Sequence, residues 1–189
     1  MTSRIPAAER REQLLLIARP LFAQNGYAGT RLDDVAAAAG VTKPILYRHF
    51  DSKKGLYMAL LQRHEDDLPR FFEGVVPAGA GEPLVRAILE VWLDYVRENR
   101  HNWLMLFRDS SGDDDIRELR AQVSRTARRL IAEFIASRAG SRIPPEQVEP
   151  TAELLTSGLA ALVLWWIDHP DVPKHVILEA AARPVSAVV

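Results

Sequence analysis

Cysteine is absent from the 189-residue sequence. This excludes disulfide frameworks, thiolate metal sites and thiol nucleophiles, and it is compatible with a reducing cytoplasm. Long hydrophobic runs are also lacking, since the longest, Gly158 to Ile167, has half of the roughly 20 residues that cross a bilayer. The stretch from Met1 to Arg11 is polar and has no apolar core of a signal peptide. We therefore expect a soluble, cytoplasmic protein without a membrane partner.

The sequence also has little that would support catalysis or metal binding. It contains no Gly-rich phosphate loop and no nucleophile elbow. Glu98 and His101 have the spacing of carboxylate metal bundles, but no second copy of that motif follows. His64-Glu65 lacks the second histidine of a zinc-protease helix, and the acids at 113–115 suit the dipole at the first turn of a helix. We predict that the protein is not an enzyme and that it holds neither a metal nor a cofactor.

Strand-like alternation of apolar and polar residues is missing, and nearly every segment has helical periodicity instead. We predict an all-α fold with a head over residues 1–56 and a helical body over residues 57–189. After the head helices, further helices are predicted at 53–72, 83–99, 101–108, 114–139, 146–168 and 173–183. Loops are predicted at Val75–Pro83, Ser110–Gly112, Gly140–Pro145 and His169–Pro170.

The head is predicted to contain three short helices separated by glycines. The first should end at Asn25-Gly26, where glycine can adopt a left-handed conformation. It should also kink near Leu16 because of Pro20. The second should begin at Thr30, whose hydroxyl can cap it in a variant of the capping box with Asp33.

Charge is distributed unevenly along the chain. Residues 1–56 hold nine basic and five acidic side chains, a net charge of +4, whereas the remainder holds 15 basic and 20 acidic side chains, a net charge of −5. Because lysine and arginine supply most non-specific affinity for DNA, this pattern indicates that only the head meets a polyanion. Chance clustering of the charges is the alternative.

The second and third helices, joined by a turn at Gly40, have the layout of a helix-turn-helix DNA-binding motif. The major groove is ~12 Å wide and admits one α-helix, so the third helix can reach base edges while the second braces it. The side chains offered to the groove would be Thr42, Lys43, Pro44, Tyr47 and Arg48. His49 is better placed for backbone oxygens, and Lys53 adds a cation at the start of the fourth helix.

Seven segments of the head agree in order, spacing and residue type with one known family. They are FAQNGY (22–27), GT (29–30), DVA (34–36), AGV (39–41), LYRHF (46–50), SK (52–53) and GLY (55–57). Over about residues 10 to 60 the sequence thus closely resembles the head of the tetracycline-repressor (TetR) family. The rest of the chain agrees only in length and helical character.

The resemblance implies a homodimeric repressor that binds a palindromic operator in double-stranded DNA. It also implies release of the DNA when a small ligand enters the C-terminal domain. The DNA contacts that it implies are Thr30, Thr42, Lys43, Pro44, Tyr47, His49 and Lys53. Alternatives remain open: the two threonines could serve only as caps, Tyr47 could be half-buried, and His49 could make no contact. Leu46 and Phe50 are assigned to the core.

The predicted helix at 146–168 is apolar all round in its later turns, so it must be buried on every side. A dimer would meet this requirement by covering one face with a second copy, in a seam completed by the last helix. The proposed interface residues are Leu155, Gly158, Leu159, Leu162, Trp166, Val176 and Ile177. A central core helix without dimerisation is the alternative. Two-fold symmetry would match operator half-sites ~34–36 Å apart.

Aromatic side chains in the body suit a pocket between helices for a small, largely apolar or aromatic effector. The candidate lining residues are Trp92, Tyr95, Trp103, Phe107, Phe134 and Trp165. Packed core is the alternative for each of them.

A function of another class is a helical ligand-binding or scaffolding dimer that keeps the head only as structure. Such a protein should lose polar and basic groups from the first turn of the third helix. Because Thr42, Lys43 and Arg48 are all present, we predict a DNA-binding transcription regulator.

Overall fold

The computed structural model describes residues 5–74, 81–108, 113–138 and 143–187, with Phe72 and Gly74 described by their backbone alone. The described residues form nine α-helices and no strand, which confirms the predicted fold class. The helices are α1 (Ala7–Gly29), α2 (Leu32–Ala38), α3 (Lys43–Tyr47), α4 (Lys53–Gly74), α5 (Gly81–Glu98), α6 (Arg100–Phe107), α7 (Asp114–Arg138), α8 (Pro145–Asp168) and α9 (Lys174–Ser186). The loops predicted at Val75–Pro83, Ser110–Gly112 and Gly140–Pro145 lie wholly or largely outside the described residues.

The backbone groups into two compact units. The first comprises the described parts of Met1–His64 and His101–Arg120, and the second comprises those of Glu65–Arg100 and Ala121–Val189. Helices α4 and α7 each contribute to both units. The division predicted after residue 56 remains a prediction.

Helix α1 is interrupted where the sequence predicted, at Asn25-Gly26. Gly26 has φ 69° and ψ 173°, a conformation that a residue without a Cβ adopts at low cost. The kink predicted near Leu16 was wrong, because Gly26 alone within α1 leaves the helical region of φ and ψ. Pro20 removes the hydrogen bond to the carbonyl of Leu16, and Leu16 is 53% exposed, so water can hydrate that carbonyl.

Tyr57 of α4 organises the core of the first unit. Its buried ring meets Phe22 of α1 edge to face, with centroids 5.0 Å apart. Its hydroxyl donates to the carbonyl of Met105 at 3.1 Å and accepts from Arg120 Nη2 at 2.7 Å. Because the hydroxyl is satisfied on both sides, the tyrosine ties α6 and the start of α7 to α4.

The acids at the start of α7 cap that helix. Asp113 Oδ1 accepts from the backbone N–H groups of Asp115, at 3.1 Å, and Ile116, at 3.3 Å. Lys54 Nζ lies 2.9 Å from the same oxygen and also binds Asp115. The acidic run therefore meets a helix N-terminus, the role that the sequence predicted for it.

The core of the second unit lies between α5 and α9. Val85, Leu89 and Leu93 recur every four residues along one face of α5, and they pack against Ile177 and Ala181 of α9. At the rim, Lys174 Nζ lies 3.0 Å from both carboxylate oxygens of Asp94. Helix α9 is therefore fixed along α5 by an apolar seam with an ion pair beside it.

Among the described helices, α8 is the one whose length and composition would allow it to cross a membrane, and a single such helix is weak support for that role. Only 22% of its most apolar stretch is buried within the chain. A large apolar surface of α8 therefore needs another cover.

Candidate nucleic-acid interface

The turn between α2 and α3 is closed by backbone hydrogen bonds around a glycine. Val41 N donates to the carbonyl of Ala36 at 3.0 Å, and Gly40 N donates to that of Ala37 at 3.1 Å. This pair of bonds is the Schellman pattern, which needs a left-handed residue, and Gly40 has φ 62°. The glycine predicted to end the second helix therefore also sets the direction in which α3 leaves the turn.

Helix α3 presents one polar face to solvent and one apolar face to the core. Leu46 is 0% exposed and Phe50 is 3% exposed, which confirms their assignment to the core. The side chains on the outer face are Thr42, Lys43, Pro44, Tyr47 and Arg48, all exposed. Thr42 occupies the N-cap position without a capping bond from its hydroxyl, so this hydroxyl does not serve the helix.

Arg11 of α1 braces the end of α3, a role that the sequence did not indicate. Its Nη1 donates to the carbonyl of His49 at 2.6 Å, and its guanidinium lies 4.2 Å from the centroid of the Phe50 ring. A charge-assisted hydrogen bond and a cation–π contact thus act on consecutive residues. The adjacent arginines at positions 10 and 11 were the available signal.

Thr30 does not have the role that the sequence predicted. It is 1% exposed, and its hydroxyl donates to the carbonyls of Gly26, at 2.8 Å, and Leu21, at 3.2 Å. The N-cap of α2 is instead Arg31. Because its hydroxyl faces the end of α1, Thr30 fits neither a helix cap nor a side-chain contact with DNA.

Lys53 is turned toward the protein. Its Nζ donates to the carbonyls of Ala28, at 3.2 Å, and Thr30, at 3.1 Å, and it lies 4.6 Å from the centroid of the Tyr27 ring. The ammonium has three donors, and two are used here. Lys53 therefore fixes the segment before α2 to the start of α4, with one donor left for an anion.

Lys43 is paired across the helix-turn-helix. Its Nζ lies 2.9 Å from Asp33 Oδ1, and the two side chains are 48% and 51% exposed. The hydrogen bond to Asp33 raises the pKa of Lys43, and the same bond lowers the pKa of Asp33. Asp33 therefore pairs with Lys43, while the predicted capping box with Thr30 is not formed.

His49 is half-buried beside several arginines. Burial lowers its pKa, and the positive charges of Arg48, Arg11 and Arg10 lower it further. The ring is therefore held in its neutral form at pH 7, so it can meet DNA as a hydrogen-bonding group without adding positive charge.

The predicted pocket residues lie in several places. Trp103 and Phe107 stack in the first unit with centroids 5.5 Å apart. In the second unit, Trp92 and Phe134 pack against the α5–α9 core, and Tyr95 lies 4.9 Å from Phe71. None of these contacts includes a ligand, so a pocket lined by them stays a prediction.

Trp165 does not fit the predicted pocket lining. It is 46% exposed, and its ring stacks on His169 with centroids 4.1 Å apart. The tryptophan lies on the outer side of α8, because the opposite side of the helix packs on the core.

The predicted dimer residues are divided between the core and the surface. Leu155 and Ile177 are 8% and 1% exposed and belong to core clusters, so they cannot meet a second copy. Leu159, Leu162 and Trp166 are partly buried and pack against the α5–α9 core. Gly158 and Val176 are exposed.

The exposed side of α8 carries a stripe that the sequence analysis did not single out. Leu154 is 71% exposed, and Gly158, Ala161 and Trp165 follow it on the surface. Their successive spacings of four, three and four residues are those of a helix–helix seam. We call these four residues the α8 stripe.

Two family models match the chain. The one described as bacterial regulatory proteins, tetR family, matches residues 14–60. The one described as tetracyclin repressor-like, C-terminal domain, matches residues 82–184, which is more than half of the chain.

Curated relatives are regulators of transcription. The HTH-type transcriptional activator FasR of Mycolicibacterium smegmatis is 36% identical over 108 residues, 57% of this chain and 49% of the relative. The HTH-type transcriptional regulator TtgR of Pseudomonas putida is 31% identical over 176 residues, 87% of this chain and 83% of the relative. The matches to FasR and several others span about half the length of those relatives.

A solved structure has the same fold. The crystal structure of the transcriptional regulator FadR from Bacillus subtilis, in complex with stearoyl-CoA, superposes with a TM-score of 0.72. The match covers 92% of this chain and 98% of that chain at 14% sequence identity.

Proposed function

The chain belongs to the tetR family of bacterial regulatory proteins, and from this premise we propose that it binds a palindromic operator as a homodimer in the cytoplasm. It represses transcription from that operator, and a small, largely apolar or aromatic effector releases it. Membership of a family of regulators also supports the prediction that the chain is not an enzyme.

The exposed face of α3 carries this proposal. Lys43, Tyr47 and Arg48 stand on the surface while Leu46 and Phe50 anchor the helix in the core. A helix held in this way can insert its polar face into the major groove without unfolding. The brace from Arg11 to the end of the helix keeps that face in one orientation.

The α8 stripe supports dimerisation. An apolar row at seam spacing, left exposed by the chain's own core, is the surface that a second copy of the same helix would cover. On α9, Val176 is 45% exposed and Ala180 follows one turn later. The proposed interface therefore combines the α8 stripe with Val176 and Ala180.

Binding to operator DNA tests the proposal most directly. Changing both Lys43 and Tyr47 to alanine removes one cation and one hydroxyl-bearing ring from the exposed face of α3. At roughly 1 kcal/mol per contact, we expect the affinity for the operator to fall about 20-fold. The measurement is a titration of labelled DNA from upstream of the protein's own gene, repeated over a range of salt concentrations.

An Arg70→Ala variant is the matched control, because it removes a positive charge from an exposed side chain in the second unit. It should bind the operator like the wild type. If the wild type binds this DNA no more tightly than random DNA, and the double variant binds equally well, the scaffolding function is favoured instead.

Apolar effectors should reverse operator binding. Aromatic side chains in both units support this part of the proposal, and the relative FadR was crystallised with stearoyl-CoA, whose acyl chain is apolar. We expect apolar or aromatic compounds to release the operator in the same titration, and to restore a reporter promoter that overlaps it. Release by highly charged ligands alone would contradict an apolar effector.

A further inference from the structure

An acidic side chain lies within the surface that is proposed to meet DNA. Asp33 stands in the first turn of α2, and its Oδ1 reaches Lys43 Nζ, on the first residue of α3, at 2.9 Å. Its other carboxylate oxygen lies 4.0 Å from Arg31 Nη2. Asp33 therefore balances positive charge at the point where α3 would enter the groove.

Stability does not account for an acid at this position. An exposed ion pair contributes little to folding, because water and salt screen it. The favourable interaction of an acid with the N-terminus of α2 is available from the adjacent Asp34, which is also exposed and in the first turn. Near phosphate groups a carboxylate is repelled, so Asp33 also weakens the attraction between this surface and DNA.

The ion pair acts differently on random and specific DNA. Random DNA is bound almost wholly through phosphate contacts, and each contact gains by releasing a counterion. While Lys43 is paired with Asp33 it already has a counterion within the protein, so its move to a phosphate releases none. An operator offers base-edge contacts to the other exposed side chains of α3 as well, and their contribution does not depend on this pair.

We propose that Asp33 is a specificity-determining residue that acts by positioning Lys43. The carboxylate holds the ammonium on the α2 side of the turn and lowers the affinity for random DNA more than the affinity for the operator. Specificity is the difference between these two affinities, so it rises although both fall. This inference rests on the proposed function of the chain as a sequence-specific DNA-binding protein.

The test compares Asp33→Asn with the wild type on operator and random DNA. Asparagine keeps the shape of the side chain and removes its charge. The affinity for random DNA should rise about fivefold and the operator affinity at most about twofold, so selectivity falls. The slope of log K against log salt on random DNA should steepen by about 0.9, because Lys43 then releases a counterion.

An Asp34→Asn variant is the matched control, since it removes the same charge from the same helical turn. It should change both affinities by similar factors and leave selectivity as it is. Asp33→Asn should also lose its particular effect on selectivity in a Lys43→Ala background, because there is then no ammonium to release.

Each result decides the matter. Equal behaviour of the two asparagine variants, or an undiminished effect of Asp33→Asn without Lys43, overturns the inference while the proposed function stands. A wild type that does not distinguish the operator from random DNA overturns the proposed function, and the inference with it.

Discussion

Replacing both Leu154 and Trp165 by glutamate is expected to yield a monomer that has lost tight operator binding. The two side chains are 71% and 46% exposed in the chain itself, so the change removes no core contact. Four glutamates facing one another across a two-fold axis would repel, and burying them without partners would be costly. The helical content should therefore be retained while the dimer separates.

The loss of operator affinity should be large because the two half-sites are bound by linked heads. Linking two binding events raises the overall affinity by 10² to 10⁴ over a single event, so the variant should lose a factor on the order of 10² or more. Sedimentation velocity gives the mass of each variant, and a titration with operator DNA gives its affinity.

Val91→Glu is the matched control, since Val91 of α5 is 47% exposed and lies outside the α8 stripe. This variant should stay dimeric and bind DNA normally. A double glutamate variant with the mass of a dimer would show that the α8 stripe is not the interface. A monomeric wild type would contradict dimerisation itself.

Acidification is expected to destabilise the protein through His64, and His64→Gln should remove that part of the pH dependence. His64 of α4 is 2% exposed, and Asn102 Nδ2 donates to its Nδ1 at 3.2 Å. Burial lowers its pKa to about 4, and the charge of Arg19 acts in the same direction. The folded state therefore keeps this ring neutral at pH values where the unfolded chain protonates it.

The direction of the effect follows from the two pKa values. Above about pH 6.5 both states are neutral and the contribution of His64 to stability is complete. As the pH falls toward 4, the unfolded state binds a proton that the folded state does not, so the free energy of unfolding decreases. Between pH 7 and pH 5 the expected loss from this residue is about 2 kcal/mol.

Denaturant unfolding at pH 7, 6 and 5, at one protein concentration, measures this loss. His64→Gln should lose about 2 kcal/mol less than the wild type over that interval. His175→Gln, which changes an exposed histidine of α9, should follow the wild type. Parallel pH dependence of the wild type and His64→Gln would mean that His64 is protonated equally in both states.

The helices were predictable because their signals are local. Gly26 and Gly40 interrupt the chain at positive φ where the sequence placed the breaks, since only the conformational freedom of a single residue is needed there. Helical periodicity likewise separated Leu46 and Phe50 from the exposed residues of α3. Pro20 was the exception, because the effect of a proline depends on whether water can reach the carbonyl it leaves unbonded.

The errors concern side chains whose partners are distant or whose helix has no polar face. Thr30 and Lys53 were assigned to DNA because their residue types suit phosphate, yet both bond to backbone carbonyls around the end of α1. In α8, apolar residues surround the helix, so periodicity could not distinguish the face of Leu155 from that of Leu154. Only packing against the core decided which of the two is buried.

The sequence by itself determined the all-helical fold, the positions of the helices and the exposed face of α3, because these follow from periodicity and from single glycines. The tertiary structure alone decided that Arg11 braces α3, that Asp33 pairs with Lys43, and that the α8 stripe is left uncovered. Those features depend on the direction in which side chains leave separate helices. A pattern along one helix carries no information about that direction, since it arises only when the helices pack together.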